Sequence, residues 1–130
     1  ELLKISYDDR IKIVGRIEPP DTELLSCSLQ LVPTPKVLGV RVRIVTAMSF
    51  GVPIIAHRCE SLNIPELKHG ENCLLGSSSK ILAKQIADLL QNNDLQEQLS
   101  RASRNTYVKF FKPEAAVSAI YDEIMHASKH

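Results

Sequence analysis

Two arginines in the segment GVRVRIVTAM (39–48) are well suited to binding an anion. Arg41 and Arg43 stand two residues apart, shortly after Gly39 and close to an apolar run. A guanidinium presents a fork of donors to a phosphate, and the first N–H groups of a helix attract anions as well. A helix that begins near these arginines would therefore form a phosphate site. The alternative, two solvated arginines beside a loop, stays open at this point.

Periodicity leaves the secondary structure of this segment ambiguous. The valines alternate with the two arginines as in a strand, whereas Ile44 and Met48 recur at helical spacing. Two strands so close together would need a hairpin, and no two-residue turn signal is present. We therefore predict a helix over about 43–50, a stop at Gly51 and a strand over 52–57.

The rest of the chain alternates apolar runs with amphipathic helical patterns. The predicted strands cover residues 11–17, 29–35, 52–57 and 72–76. A short helix is predicted through Leu25, capped by Asp21 or Thr22. Three further helices are predicted within 77–94, from Asp94 and from Pro113. The last of them carries an apolar stripe of Ala116, Val117, Ile120, Tyr121 and Ile124. This order predicts an α/β fold in which helices flank a short parallel sheet, with a helical C-terminal third.

Size and charge exclude several classes of protein. The chain has 130 residues, enough for one domain, and a formal net charge of +1 from 16 basic and 15 acidic residues. This balance gives no reason to expect a nucleic-acid partner. No apolar run approaches the ~20 residues of a transmembrane segment, and no signal-peptide pattern is present. Because the sequence begins at Glu1, we expect a piece of a longer polypeptide.

The cysteines do not suggest a metal site. Cys27, Cys59 and Cys73 are odd in number and lack the spacing of zinc ligands. We expect them to act as small, partly buried hydrophobic residues in a reducing compartment, and therefore predict a cytoplasmic protein. Peripheral association with the inner face of a membrane stays open.

A series of short motifs occurs in a fixed order over nearly the whole chain. They are IVGRI (13–17), TELL (22–25), LVPTP (31–35), TAMSFGVPIIAH (46–57), IPELKHGENCLL (64–75) and FFKPEAAVSAIYDEI (110–124). Each motif alone is weak, but their order resembles the C-terminal half of retaining GT-B glycosyltransferases, the glycosyl transferases group 1 family (family 4). The resemblance implies that residues 1–130 form a single, truncated, Rossmann-like domain that binds a nucleotide sugar.

The implied reaction is transfer of a sugar, of the hexosyltransferase type, from a nucleotide diphosphate sugar to an acceptor. The nucleotide sugar is then a substrate, and neither a cofactor nor a metal is expected. In the family, the acceptor-binding domain with the usual catalytic residues lies N-terminal to the segment that matches here. The resemblance therefore assigns no catalytic residue to this chain and implies that it is inactive by itself.

The resemblance also implies a donor-binding set, which is altered in this sequence. The family's two donor-binding glutamates, eight positions apart, correspond to Leu38 and Thr46. Members with a G-x-R-x-K-x-x-E-A loop lack the first glutamate too. Gly39, Arg41, Arg43 and Ala47 fit that variant, with Arg43 in place of the lysine and Thr46 in place of the glutamate. A threonine offers one hydroxyl where a carboxylate accepts two ribose hydroxyls, so nucleotide affinity should be reduced.

A glycine loop completes the implied set. Gly15 and Arg16 match the family's loop whose backbone meets the nucleotide base, although a plain strand-to-turn glycine explains Gly15 equally well. The candidate donor-binding residues are thus Gly15, Arg16, Gly39, Arg41, Arg43 and Thr46.

The family's strand order implies an incomplete sheet. Its third strand, here 11–17, does not neighbour its fourth, here 29–35, and the central strands lie upstream of the matching segment. We therefore expect exposed sheet edges, which favour association with another copy of the chain or with the missing N-terminal domain. Two other hypotheses stay open: a non-catalytic binding or assembly module that has lost its donor glutamates, and an unrelated α/β module that binds a phosphorylated ligand.

Overall fold

Short strands and helices occupy the first part of the described chain, and helices form its last third, in line with the predicted α/β fold. A computed structural model describes residues 8–15, 18, 21–36, 39 and 41–129. Its main elements are α1 (Asp21–Ser26), β1 (Gln30–Val32), α2 (Val42–Ser49), β2 (Ile54–His57), β3 (Leu74–Gly76), α3 (Ser79–Leu90), α4 (Asn93–Thr106) and α5 (Pro113–Ala127). A 3₁₀ turn covers Arg58–Leu62, and a π-helical turn covers Tyr107–Phe111.

The described sheet has three parallel strands in the order β1-β2-β3. Leu31 pairs with Ile55, and Ile55 pairs with Leu74 on the other side. The middle strand is buried, in agreement with the continuous apolar run that predicts it. Because the strands run in the same direction, their carboxyl ends meet at one edge of the sheet. The loops after β1 and β2 both begin at this edge.

Helices cover both faces of the sheet, and neighbouring residues of β2 serve different faces. Ile54 belongs to a buried cluster with Ile44 and Met48 of α2. Ile55 belongs to a second cluster with Leu89 of α3 and Leu99 of α4. This alternation is the two-residue period of a strand. The result is a partial Rossmann-like layer arrangement, which confirms the predicted fold class.

The ambiguous segment forms the helix that we predicted. α2 begins at Val42 and ends at Ser49, within one residue of the expected bounds. The helix stops at Gly51, whose φ of 66° lies in the left-handed region that favours glycine. α4 also begins one residue earlier than predicted, because the side chain of Asn92 accepts a hydrogen bond from the backbone N–H of Leu95 at 3.0 Å.

The prediction of a strand over 11–17 is wrong for residues 11–15, which are the part of it that the structure describes. Residues 11–15 contain no strand, and residues 16–17 lie outside the described part of the chain. Ile11, Ile13 and Val14 are exposed. An alternating apolar pattern forms a strand only where a neighbouring strand pairs its backbone groups and a layer covers one face. Neither is found here among the described residues.

The C-terminal helix begins at Pro113 as predicted, but the structure leaves its apolar stripe uncovered. Among the described residues, α5 contains none that is buried. Val117, Ile120, Tyr121 and Ile124 are between 60% and 67% exposed. The stripe therefore has the spacing of a helix face, but its residues belong to neither of the two buried clusters.

The three cysteines occupy different environments. Cys73 is buried, Cys59 is half-buried and Cys27 is exposed, so the expectation of partial burial is wrong for Cys27. Burial raises the pKa of the Cys73 thiol to about 12. This thiol is therefore protonated near neutral pH, and a protonated thiol is a poor nucleophile.

We expect iodoacetamide at about pH 8 to alkylate Cys27 in the folded chain and to leave Cys73 unmodified. Cys73 should react only after urea unfolds the chain, because unfolding restores both access and an ordinary thiol pKa. Peptide mass spectrometry after timed labelling measures this. Equal labelling rates at the two positions in the folded chain would contradict the buried placement of Cys73.

Candidate functional site

The first turn of α2 lies at the edge of the sheet where the carboxyl ends of the strands meet. The chain leaves β1 at this edge, forms a loop and enters α2, which then returns toward the start of β2. The backbone carbonyl of Arg41 accepts from Ile44 N at 2.9 Å and so closes the first turn. This turn contains no acidic residue. The helix N-terminus therefore keeps its positive character, which suits an anionic ligand.

Arg41 forms a buried ion pair with Glu60. Arg41 Nε donates to Glu60 Oε1 at 3.0 Å, and Arg41 Nη2 donates to the carbonyl of Lys36 at 3.2 Å. The side chain of Arg41 is 12% exposed and that of Glu60 is 0% exposed. Glu60 lies in the 3₁₀ turn directly after β2. The pair therefore ties the loop after β1 to the turn after β2, at the edge where the candidate site lies.

The ion pair leaves hydrogen-bonding capacity unused on both partners. Within the described part of the chain, Glu60 Oε2 is buried and has no hydrogen-bond partner. A guanidinium has five N–H donors, and the contacts above use only Nε and one hydrogen of Nη2. Arg41 itself directly precedes the first residue of α2.

Glu60 is the member of the site that sequence reasoning missed. It is 19 positions from Arg41 in the sequence, and no helical or strand spacing relates residues that far apart. The available signal was a glutamate within a short turn between two apolar segments, at the carboxyl end of a predicted buried strand. Such a carboxylate is either exposed or paired, and only the three-dimensional fold distinguishes the two.

Arg43 and Thr46 lie together on a different side of α2. Both line a concavity of about 280 Å³, with Leu24, Gln30 and Val42 as its other lining residues. Arg43 is exposed, and Thr46 is half-buried. Thr46 Oγ1 donates to the carbonyl of Val42 at 2.9 Å, so its hydrogen is used within the helix and its lone pairs remain as acceptors. The structure thus brings Arg43 to Thr46 and directs Arg41 to Glu60.

The two candidate glycines adopt left-handed backbone conformations in open surroundings. Gly39 has a φ of 82°, and Gly15 has a φ of 68°. A Cβ built at either position would meet nothing within 4 Å. The conformation of Gly39 therefore explains the glycine at the loop before α2 without a bound ligand. Arg16 and Leu38 lie outside the described residues, so the predicted base-binding loop at 15–16 stays a prediction.

The IPE and HGENC motifs form a structural turn before β3. Asn72 is buried, and its Oδ1 accepts from the backbone N–H of Lys68 at 2.8 Å. Its Nδ2 donates to the carbonyl of Glu66 at 2.8 Å and to Thr106 Oγ1 at 2.9 Å. These bonds attach the turn to α4, so the motif has a structural role here.

The described residues contain neither a metal-binding cluster nor a membrane-spanning helix. No three or more histidine, cysteine or acidic side chains cluster there as a metal site would require. Within the same residues, no helix combines the length and the apolarity needed to cross a membrane.

A sequence model of the family described as glycosyl transferases group 1 matches residues 1–92. This chain belongs to that family. The match covers the elements from α1 to α3, including α1, β1, α2 and the turn after β2, which contribute residues to the candidate site. It confirms the resemblance seen in the sequence motifs. No curated protein matches the chain significantly. Membership in the glycosyl transferases group 1 family associates the chain with glycosyl transfer, and the site geometry must supply any finer assignment.

Proposed function

We propose that this chain is the donor-binding part of a glycosyltransferase that uses a nucleotide diphosphate sugar. The observation that carries the proposal is the position of Arg43 and Thr46, which share one concavity beside α2. Arg43 belongs to the first turn of this helix. This turn lies at the carboxyl edge of a parallel sheet, where α/β folds bind their ligands. The family match supports the same reaction class.

In this proposal, the diphosphate of the donor lies at the start of α2. The N–H groups of the first turn and the guanidinium of Arg43 neutralise its charge, so no metal ion is required for binding. The Thr46 oxygen accepts a hydrogen bond from a ribose hydroxyl. Because a carboxylate would make stronger, charge-assisted bonds here, threonine should weaken donor binding by roughly 1.5–3 kcal/mol.

Catalysis needs groups that we do not assign to this chain. We propose that the acceptor and the catalytic residues are held by a separate N-terminal domain, so the chain alone binds the donor without transferring the sugar. Association through the open side of β1, which pairs only with β2 among the described strands, also stays a proposal.

Calorimetric titration of the folded chain with UDP, GDP and ADP at low millimolar concentration tests donor binding. We expect saturable binding of one nucleotide and a loss of about tenfold or more in affinity for Arg43→Ala, because a bond between two charged groups is removed. Arg101→Ala is the matched control, since Arg101 forms an exposed ion pair with Glu97 on α4. If the folded chain binds none of the three nucleotides, the proposal is wrong for this chain.

A second candidate function is a glycosyltransferase-like binding or assembly module without donor affinity. It is favoured by Thr46, whose hydroxyl donates to its own helix where the family has a carboxylate. The variant Thr46→Glu separates the two. Nucleotide binding that appears only in this variant would indicate a former donor site that has decayed, whereas binding by the unmodified chain supports the first proposal.

A further inference from the structure

We propose that Glu60 is a positioning residue, which holds the Arg41 guanidinium where it meets the diphosphate of the donor. This inference rests on the proposed donor-binding function. It assigns to Arg41 a role that differs from that of Arg43: Arg43 is an exposed ligand, and Arg41 is a ligand fixed in advance.

The geometry fixes Arg41 at two points. Glu60 Oε1 holds Nε at 3.0 Å, and the Lys36 carbonyl holds Nη2 at 3.2 Å, so the plane of the guanidinium cannot rotate freely. Nη1 and the second hydrogen of Nη2 take no part in these contacts. Arg41 directly precedes Val42, the first residue of α2. In this proposal, an anion at the helix N-terminus meets a guanidinium whose orientation is already set, which lowers the entropy lost on binding.

Stability alone does not account for the pair. A buried ion pair is often no more stabilising than apolar residues of the same volume. Here Glu60 Oε2 is also left buried without a described partner, which is unfavourable. Both observations favour a carboxylate that is kept for its effect on Arg41.

A second contact between the same two segments should keep the turn folded when Glu60 is substituted. Cys59 Sγ donates to the carbonyl of Thr34 at 3.5 Å, and this joins the turn after β2 to the loop after β1 independently of the ion pair. The variant Glu60→Gln keeps the shape of the side chain and one acceptor oxygen, so we expect it to fold. Its neutral amide holds Arg41 Nε less strongly than the carboxylate does. Glu60→Asp, which keeps the charge but shortens the reach, is the second variant.

The test is calorimetric titration with UDP, GDP and ADP and with the corresponding nucleosides. We expect Glu60→Gln to weaken binding of the diphosphate about 3- to 10-fold, as is usual for coupled residues, and to leave nucleoside affinity unchanged. Glu60→Asp should show the same selective loss, and Glu60→Gln should add nothing in an Arg41→Gln background. Glu97→Gln, in the exposed pair with Arg101, is the matched control.

Each other outcome is informative. Wild-type diphosphate affinity in folded Glu60→Gln and Glu60→Asp would overturn this inference and leave the proposed function standing. Equal losses for nucleoside and diphosphate would indicate general distortion of the site and would also overturn it. If the unmodified folded chain binds no nucleoside diphosphate, the proposed function and this inference are both wrong.

Discussion

Replacing Arg41 with alanine should lower the free energy of unfolding by about 3–5 kcal/mol. The substitution removes the guanidinium and leaves the carboxylate of Glu60 buried with no opposite charge beside it. It also releases the carbonyl of Lys36, so the loop before α2 loses two attachments at once. A surface ion pair contributes only about 0–1 kcal/mol, so burial is the source of the large effect.

Urea denaturation monitored by circular dichroism measures this difference. Arg101→Ala, which breaks the pair of Arg101 and Glu97 with both side chains 72% exposed, should change stability by less than about 1 kcal/mol. The double variant Arg41→Met with Glu60→Leu should recover much of the loss, because it removes both charges together. Equal effects of Arg41→Ala and Arg101→Ala would show that the pair is not buried in solution.

Leu99→Ala in α4 should lower the free energy of unfolding by about 2–5 kcal/mol. Leu99 is fully buried and belongs to the cluster with Ile55 of the middle strand and Leu89 of α3. It lies beyond residue 92, where the family match ends. A large loss would therefore show that α4 unfolds together with the sheet.

The matched control is Leu90→Ala, because Leu90 is 50% exposed at the end of α3. A substitution at such a position should change stability by about 0.5 kcal/mol. Urea denaturation is followed with two signals. Circular dichroism reports the helices, and the reactivity of Cys73 reports the region beside β3. If the signals separate into two transitions, or if Leu99→Ala has no effect, α4 is not part of the same cooperative unit.

Local signals predicted the elements whose stability is decided locally. β2 is a continuous apolar run, and α2 is ended by Gly51, so both were placed within about two residues. The strand over 11–17 was wrong over 11–15, because alternation does not reveal whether a neighbouring strand is present. For the same reason, the apolar stripe of α5 is exposed in the structure although it has the spacing of a core helix.

The residues of the candidate site were likewise predicted only in part. The predicted helix over about 43–50 contains both Arg43 and Thr46, and residues three apart on a helix are neighbours, in agreement with their shared concavity. Spacing did not separate Arg41 from Arg43, because the position of Arg41 depends on Glu60 in the loop of another strand. Long-range pairing of charges follows from the sheet order, which the sequence alone supplied only through the family resemblance.

The middle strand has a consequence for how this domain can evolve. Ile54 packs toward α2, and Ile55, the next residue, packs toward α3 and α4. A change in side-chain volume at either position must be compensated in a different helix. Adjacent positions of β2 can therefore be substituted independently of each other. The face of the sheet that packs on α2 can change its packing while the opposite face keeps its own.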